Sequence, residues 1–195
     1  MELRARMRTQ RRALKDSQRQ QLAAQFTDGL LRSRLVQRAK KIACYLAMDG
    51  EMDPAPLIAQ LWAQGKTVYL PVIHSKRLWF LPFSPDTPLA TNRFGIPEPA
   101  LPANRRCPPS ALDLVLVPLT AFDRRGNRLG MGSGYYDRSF AFLRRRRHWS
   151  RPRLIGAAYG FQGGEDLQPQ PWDVQLSGVG TEDGLELWGP DLDTK

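Results

Sequence analysis

Residues 113–138 contain the side chains and glycines most suited to chemistry in this chain. Leu114–Val117 is apolar without polar alternation, which is typical of a strand buried on both faces of a parallel sheet. Gly130, Gly132 and Gly134 follow, and the apolar residues after them have helical spacing. Exposed backbone amides in a loop between a strand and a helix bind anions such as phosphate. The pattern therefore predicts a phosphate-binding loop.

Glycines at this spacing also occur in tight connections that bind no ligand, so the neighbouring side chains carry the argument. Arg128 precedes the glycines, and Tyr135 and Tyr136 follow them with two polar-tipped rings. Asp137 places a carboxylate in the first turn of the predicted helix, which suits a hard cation bridging phosphates. No Gly-Lys-Ser/Thr follows, so the segment is not a Walker loop.

A second group of polar side chains follows the first predicted strand, residues 42–47. In open α/β sheets ligands bind beyond the carboxyl ends of the strands, so the acids Asp49, Glu51 and Asp53 lie where site residues are expected. Asp53 and Pro54 also serve as the N-cap and first residue of a helix. Glu51 is therefore the acid without a capping role.

Strands alternating with helices predict one three-layer α/β/α domain over residues 1–190, with a mainly parallel sheet and an antiparallel edge. The tail, residues 191–195, is expected to be disordered. Segment 82–109 is rich in proline, has no helical period, and predicts a long functional or mobile loop. Strands are predicted at residues 42–47, 67–73 with an interruption at Pro71, 78–83, 114–117, 154–159 and 179–182. Helices are predicted at residues 2–15, from a capping box at Ser17, from Pro54 to Gly65, and after Gly134.

Composition limits the class of protein. A chain of 195 residues with 42% hydrophobic content is long enough for a three-layer core. The charged N-terminus and the lack of about 18 consecutive apolar residues predict neither export nor a membrane span, and hence a cytoplasmic protein. Two isolated cysteines and two isolated histidines indicate neither a disulfide framework nor a zinc site.

The net charge of +10 is unevenly distributed. Six positive residues between Arg4 and Lys15 and four at Arg144–Arg147 equal the excess of 29 Lys and Arg over 19 Asp and Glu. Most of the N-terminal arginines are expected on a solvated helix face. Such charge attracts nucleic acid, an acidic membrane surface or a polyanionic small molecule, so a nucleic-acid-binding protein is an alternative. That alternative lacks a recognisable reader motif and leaves the glycine loop unexplained.

The string from Gly126 to Asp137 resembles the signature of the 5-formyltetrahydrofolate cyclo-ligase family. Asp49–Asp53 resembles the acidic folate segment of that family, and Gly95–Pro99 resembles its Ile-x-Glu-Pro element. Trp172-Asp173 and Thr181-Glu182 resemble its C-terminal Asp and Thr-Glu. Because these matches keep their order along nearly the whole chain, the chain is identified as a member of the family.

The resemblance implies ATP-dependent cyclisation of 5-formyltetrahydrofolate to 5,10-methenyltetrahydrofolate with Mg2+, releasing ADP and phosphate. It implies small-molecule substrates, and we expect a monomer without membrane or nucleic-acid partners. Arg128, Tyr135 and Asp137 are expected to be catalytic. The implied ATP site is Arg4, Arg128, Leu129, Gly130, Met131, Gly132, Ser133, Gly134, Tyr135 and Tyr136; the folate site is Leu46, Glu51, Met131, Gly132, Ser133, Gly134 and Tyr135; the Mg2+ ligands are Asp137 and Asp173.

This chemistry explains why a phosphate loop is needed. An N-formyl group is an amide, a poor electrophile whose oxygen is a poor leaving group. Transfer of the γ-phosphoryl group to that oxygen activates it, so that nitrogen 10 of the folate attacks the carbon and phosphate departs. The protein then mainly positions reactants and neutralises charge, and no protein nucleophile is required. A kinase or ligase acting on another small molecule shares the loop but not necessarily Glu51.

Overall fold

The computed structural model describes residues 2–145, 151–164 and 166–188. The predicted tail and half of the Arg144–Arg147 run lie outside the described residues. The described helices are α1 (Glu2–Ala13), α2 (Asp16–Leu31), α3 (Arg34–Arg38), α4 (Ala55–Ala63) and α5 (Tyr135–Phe140). The described strands are β1 (Lys41–Ala43), β2 (Thr67–His74), β3 (Arg77–Phe83), β4 (Leu89–Thr91), β5 (Pro97–Pro99), β6 (Leu114–Pro118), β7 (Ala121–Phe122), β8 (Arg128–Leu129), β9 (Arg153–Ala157), β10 (Gly178–Thr181) and β11 (Gly184–Leu187).

Seven strands form the main sheet in the order β11-β10-β9-β6-β1-β2-β3. The inner five strands are parallel, and β3 and β11 pair antiparallel at the two edges. The chain leaves β1 towards β2 on one side and leaves β6 towards β9 on the other. The connections after β1 and β6 therefore diverge, which opens a crevice at the carboxyl ends of these strands.

Each face of the sheet carries its own apolar core. Phe26 and Leu30 of α2 pack on one face, together with α3 and α4. Phe140 of α5 packs on the other face with Phe80 and Val115. Leu114–Val117 is buried throughout, as its unbroken apolar sequence predicts. The three-layer α/β fold with a mainly parallel sheet is confirmed.

Several element boundaries differ from prediction. Strand β2 continues through Pro71, whose missing N–H costs little because β1 pairs only with residues 67–69 of that strand. Helix α2 begins at Asp16 rather than Ser17, and Gln18 Oε1 accepts a hydrogen bond from Lys15 N at 3.0 Å. Strand β11 was not predicted, and the first strand is shorter than expected.

The segment predicted as a long loop contains a hairpin of strands β4 and β5. Glu98 fixes this hairpin to the main sheet, because its Oε1 accepts hydrogen bonds from Ile73 N at 2.9 Å and Asn92 Nδ2 at 2.7 Å. The Ile-x-Glu-Pro element is thus a fastening between β5 and β2. The tip of the hairpin, Arg93 and Phe94, extends towards α5.

The solvated-face prediction is wrong for Arg11. Its side chain is 0% exposed, and Nη1 donates to Leu119 O at 3.2 Å. Helix α1 therefore lies across the loop after β6 with Arg11 beneath it. Within the described part of the chain, no helix combines the length and apolar character that crossing a membrane requires.

Candidate active site

The loop after β1 and the glycine loop meet at the crevice between β1 and β6. Burial raises the pKa of Tyr136, and the charge of Glu51 raises it further while Arg128 opposes. Tyr159 Oη, beyond β9, donates to Glu51 O at 3.3 Å. The loops after β1 and β9 are thus in direct contact beyond the carboxyl ends of their strands.

The glycine loop presents its backbone to open space. Gly132 has φ 95°, a left-handed conformation that favours glycine, and a Cβ added at Gly130 or Gly132 would meet no atom within 4 Å. Met131, between them, is 54% exposed. Helix α5 has only six residues, so the loop amides rather than a helix dipole are the anion donors here.

Helix α1 lies against this loop. Arg4 Nε donates to Gly130 O at 2.9 Å, and the Arg4 side chain is half-buried. The guanidinium therefore lies beside the backbone that is expected to hold phosphates. The structure brings Arg4 and the glycine loop together, although 126 residues separate Arg4 from Gly130.

Asp49 fastens α1 to the loop after β1. Its carboxylate contacts Arg8 Nε at 2.8 Å and Arg12 Nε at 2.5 Å, and lies 3.7 Å from Arg11 Nη2. Burial raises the pKa of Asp49, but the hydrogen bonds from Arg12 and Arg8 outweigh it, so the net pKa is lowered. A Cβ on Gly50, which has φ 72°, would lie 3.1 Å from Arg11 O. Asp49 is thus engaged within the protein.

Glu51 differs from Asp49 in being incompletely bonded. Its Oε2 accepts a hydrogen bond from Met48 N at 3.1 Å, and Oε1 receives none from the residues that the structure describes. Burial raises the pKa of Glu51, the Met48 N–H and Arg11 lower it, and Asp49 raises it, for a net increase. Leu46, half-buried on the same loop, packs against the core. This loop offers a hydrogen-bond acceptor beside apolar surface.

Arg128 and Asp137, the predicted phosphate anchor and metal ligand, are bonded to each other. Arg128 Nη2 donates to Asp137 Oδ1 at 2.5 Å, and Arg128 Nη1 donates to Val174 O. Val174 N donates to the same Asp137 oxygen at 3.1 Å. Asp173 precedes Val174, and its Oδ2 accepts from Gln170 N at 2.8 Å. Asp173 therefore precedes the residue that contacts Asp137, while its own carboxylate is bonded to Gln170 N.

The donor set at this position fits Mg2+. No group of three or more His, Cys, Asp or Glu side chains suitable for a metal occurs in the described ranges. Mg2+, however, usually takes only one or two carboxylates and completes its octahedron with phosphate oxygens and water. Asp137 and Asp173 supply that number.

Tyr135 forms the side of the site that faces the hairpin tip. Its hydroxyl accepts a hydrogen bond from Arg93 Nη2 at 2.9 Å, and the Arg138 guanidinium lies 5.1 Å from its ring centroid. Arg138 Nη2 also donates to Ser133 O at 2.8 Å, and Phe94 is 52% exposed beside Arg93. The half-buried Tyr135 ring, the exposed Phe94 ring and two exposed guanidinium groups thus lie near the end of the glycine loop.

Two buried residues, Arg11 and Gln162, hold the loop after β6 and were not predicted from the sequence. Gln162 Nε2 donates to Leu119 O at 3.0 Å and Thr120 O at 2.9 Å, and its Oε1 accepts from Tyr159 N at 2.9 Å. Arg11 donates to the same Leu119 carbonyl. Neither Arg11 nor Gln162 has a signal in local spacing, because each role depends on burial by distant segments. Among the predicted residues, Leu129 has a backbone role, since its carbonyl accepts Thr120 N at 2.7 Å.

The model of the 5-formyltetrahydrofolate cyclo-ligase family matches residues 1–182. A 5-formyltetrahydrofolate cyclo-ligase of Haemophilus influenzae is 43% identical over 169 residues, covering 84% of this chain and 86% of that protein. The enzyme of the same name from Escherichia coli strain K12 is 40% identical over 185 residues, covering 93% and 100%.

A solved structure gives the same result. The NMR structure of 5,10-methenyltetrahydrofolate synthetase from Aquifex aeolicus superimposes with a TM-score of 0.81 at 31% identity, covering 98% of this chain and 95% of that one. The signature loop and the loop after β1 both contact helix α1 in this matching fold. The chain therefore belongs to the 5-formyltetrahydrofolate cyclo-ligase family.

Proposed function

We propose that this protein catalyses the ATP- and Mg2+-dependent cyclisation of 5-formyltetrahydrofolate to 5,10-methenyltetrahydrofolate. The observation that carries the proposal is that helix α1 contacts both loops at the crevice between β1 and β6. Arg4 Nε donates to Gly130 O, and Arg8 Nε donates to Asp49, two residues before Glu51. One loop offers amides and cations to phosphate, and the other offers an acceptor and apolar surface to a ring system. The two substrates must meet where these loops meet.

The nucleotide phosphates bind the backbone amides of residues 129–134, with Arg4 and Arg128 as cationic partners. Both guanidinium groups already contact groups at the edges of this loop, at Gly130 O and Asp137 Oδ1. Charge-assisted contacts between guanidinium and phosphate are short and directional. Tyr136 occupies the second position of α5 directly after this loop, and the opposite effects of Glu51 and Arg128 on its pKa show that both charges act on its hydroxyl.

The folate ring binds over Glu51. Its incompletely bonded carboxylate accepts hydrogen bonds from the pterin amino and ring N–H groups. Leu46 and the exposed Met131 give the flat ring apolar neighbours. Tyr135 packs beside the formyl group from the opposite side.

The reaction follows from these positions. The loop amides and Arg128 neutralise the γ-phosphoryl group as the formyl oxygen attacks its phosphorus and ADP leaves. Nitrogen 10 then attacks the formyl carbon, the carbon–oxygen bond breaks, and the phosphate departs with the proton of nitrogen 10. When bound to Asp137 and Asp173, Mg2+ supplies charge neutralisation at the phosphate oxygens. Tyr135 and the hairpin tip keep water from the activated formyl carbon.

Absorbance of the methenyl product, followed in reactions from which one component is omitted, tests the proposal. We expect product only when 5-formyltetrahydrofolate, ATP and a divalent cation are all present. Turnover without nucleotide would exclude the phosphoryl-transfer mechanism. Selective binding of nucleic acid at physiological salt without turnover would favour the alternative function. Action as a cytoplasmic monomer stays a prediction, and sedimentation checks the oligomeric part of it.

A further inference from the structure

At the predicted metal position, three residues contact one another: Arg128, Asp137 and Val174. The Arg128 side chain is 7% exposed and the Asp137 side chain 19% exposed. The guanidinium bridges the Asp137 carboxylate and the Val174 carbonyl, while Val174 N–H donates to the same carboxylate. Three segments of the chain, β8, α5 and the loop after Asp173, thus meet through this one ion pair.

This pairing makes the position unsuitable for a free dication. Asp137 and Asp173 carry two negative charges, and Arg128 neutralises one of them at 2.5 Å. A dication entering here would lie beside a poorly solvated guanidinium, which repels it strongly because screening is weak in a buried site. A metal ligand that is already paired in this way becomes available only when its cation has another partner.

The glycine loop provides for such a partner. Arg128 lies two residues before Gly130, at the entrance to the loop that is expected to hold phosphates. A phosphate bound to the loop amides offers oxygens that a guanidinium binds as well as it binds a carboxylate. When Arg128 turns to phosphate, Val174 N–H still donates to Asp137 Oδ1 and keeps the carboxylate oriented.

We propose that Arg128 is a placeholder for the divalent cation. In the nucleotide-free protein the Arg128 guanidinium is paired with the Asp137 carboxylate. On nucleotide binding the guanidinium moves to the phosphates and leaves the carboxylate free to bind the metal. Metal binding is therefore nucleotide-dependent, and free metal does not load the protein in advance. The inference rests on the proposed function for the identity of the nucleotide, and it assigns Arg128 a positioning role beyond charge neutralisation.

Mn2+ binding to the nucleotide-free protein, measured by electron paramagnetic resonance without folate, tests this role. We expect weak binding to the wild type and at least about tenfold tighter binding to Arg128→Gln, since one nearby positive charge is removed. The control Arg124→Gln removes the same charge from an exposed position of the turn between β7 and β8, and should bind Mn2+ like the wild type. The double variant Arg128→Gln/Asp137→Asn should lose the gain.

A second measurement on the wild type alone keeps the proposal testable if Arg128→Gln does not fold. A non-hydrolysable ATP analogue at saturating concentration should increase Mn2+ bound to the protein, after subtraction of the binary analogue–Mn2+ complex. Mn2+ binding to the nucleotide-free wild type as tight as with the analogue would overturn the proposal, as would equal Mn2+ affinity of Arg128→Gln and Arg124→Gln. Because neither measurement uses folate, these failures remain distinct from an absence of methenyl formation, which would contradict the proposed function instead.

Discussion

The Glu51 carboxylate uses one oxygen to accept a hydrogen bond from Met48 N and has another oxygen that no described residue bonds. Glu51→Gln keeps the size of the side chain and its bond to Met48, but removes the charge that a pterin donor meets. Loss of one charged hydrogen-bond partner costs about 2 kcal/mol, or some tens-fold in kcat/KM for the folate. Steady-state kinetics with varied folate measure this loss. Glu186→Gln, an exposed acid on β11, is the matched control, and an unchanged folate kcat/KM in Glu51→Gln would remove Glu51 from the pterin site.

Glu51→Gln should lower folate kcat/KM but raise the thermal stability of the protein near neutral pH. Burial raises the pKa of Glu51 above its ordinary value of 4.5, so the folded state disfavours the ionised form. The contribution of wild-type Glu51 to stability is therefore complete below pH 4.5 and is lost as the pH rises through the folded pKa. Glu51→Gln should have a higher Tm than the wild type at pH 7.5, and the difference should vanish towards pH 4. A lower Tm of the variant at pH 7.5, in thermal scans that include Glu186→Gln, would contradict this.

At the residue scale, sequence predicted the side chains that chemistry requires by type. Arg128 and Asp137 are in direct contact, and Glu51 lies two residues after Asp49, which binds the same helix α1 that contacts the glycine loop. Their joint role in one site stays a prediction. The ion pair between Arg128 and Asp137 was not predictable. Nothing in the sequence distinguishes Arg128 as phosphate anchor from Arg128 as partner of Asp137, since that depends on the approach of Val174 from a distant segment.

Helix α1 is the element whose role is least evident from its composition. Arg4→Ala should raise the KM for ATP several-fold, because the Arg4 guanidinium already lies at Gly130 O and phosphate contacts are charge-assisted. Arg8→Ala, which removes a bond to Asp49, should affect the KM for ATP less. Initial rates with varied ATP, at saturating folate and Mg2+, measure the difference. Arg6→Ala, at an exposed position of the same helix, is the charge control. Equal KM values in all three variants would place Arg4 outside the nucleotide site.

The hairpin of β4 and β5 depends on one carboxylate. Glu98→Ala leaves Ile73 N–H and the Asn92 side-chain amide without an acceptor, and an unsatisfied polar group costs about 1–3 kcal/mol. We expect lower stability in urea and faster amide hydrogen exchange across residues 89–99. Asp86→Ala, an exposed acid just before the hairpin, is the comparison. If amide hydrogen exchange across residues 89–99 of Glu98→Ala has the wild-type rates, other contacts hold the hairpin.

Elements with strong internal patterns were predictable, and elements defined by pairing were not. The unbroken apolar sequence of Leu114–Val117 predicts a strand that is buried on both faces. The apolar stripe of Leu22, Phe26 and Leu30 predicts α2. Strands β4, β5 and β11 are three or four residues long, and they exist because a partner backbone lies beside them. The predicted interruption at Pro71 was wrong because β1 pairs only with residues 67–69 of β2, which the sequence does not reveal.

Over the whole molecule, the positive charge is used partly inside the protein. Arg4, Arg8, Arg11 and Arg12 of α1 contact Gly130 O, Asp49 or Leu119 O. A helix held by such contacts is a component of the site rather than an independent arm for nucleic acid. Its charge instead contributes a positive field beside the glycine loop, which favours a polyanionic substrate.

The proposed mechanism requires that the formyl oxygen leaves as part of the released phosphate. Conversion of 5-formyltetrahydrofolate labelled with 18O in the formyl group, followed by mass spectrometry of the phosphate, tests this requirement most directly. Residual substrate must be analysed alongside, so that loss of label to water is measured. Phosphorylation of the formyl oxygen predicts one 18O atom in each phosphate, with one phosphate formed per methenyl product. Unlabelled phosphate from substrate that has retained its label would contradict phosphorylation of the formyl oxygen, and with it the mechanism assigned to this site.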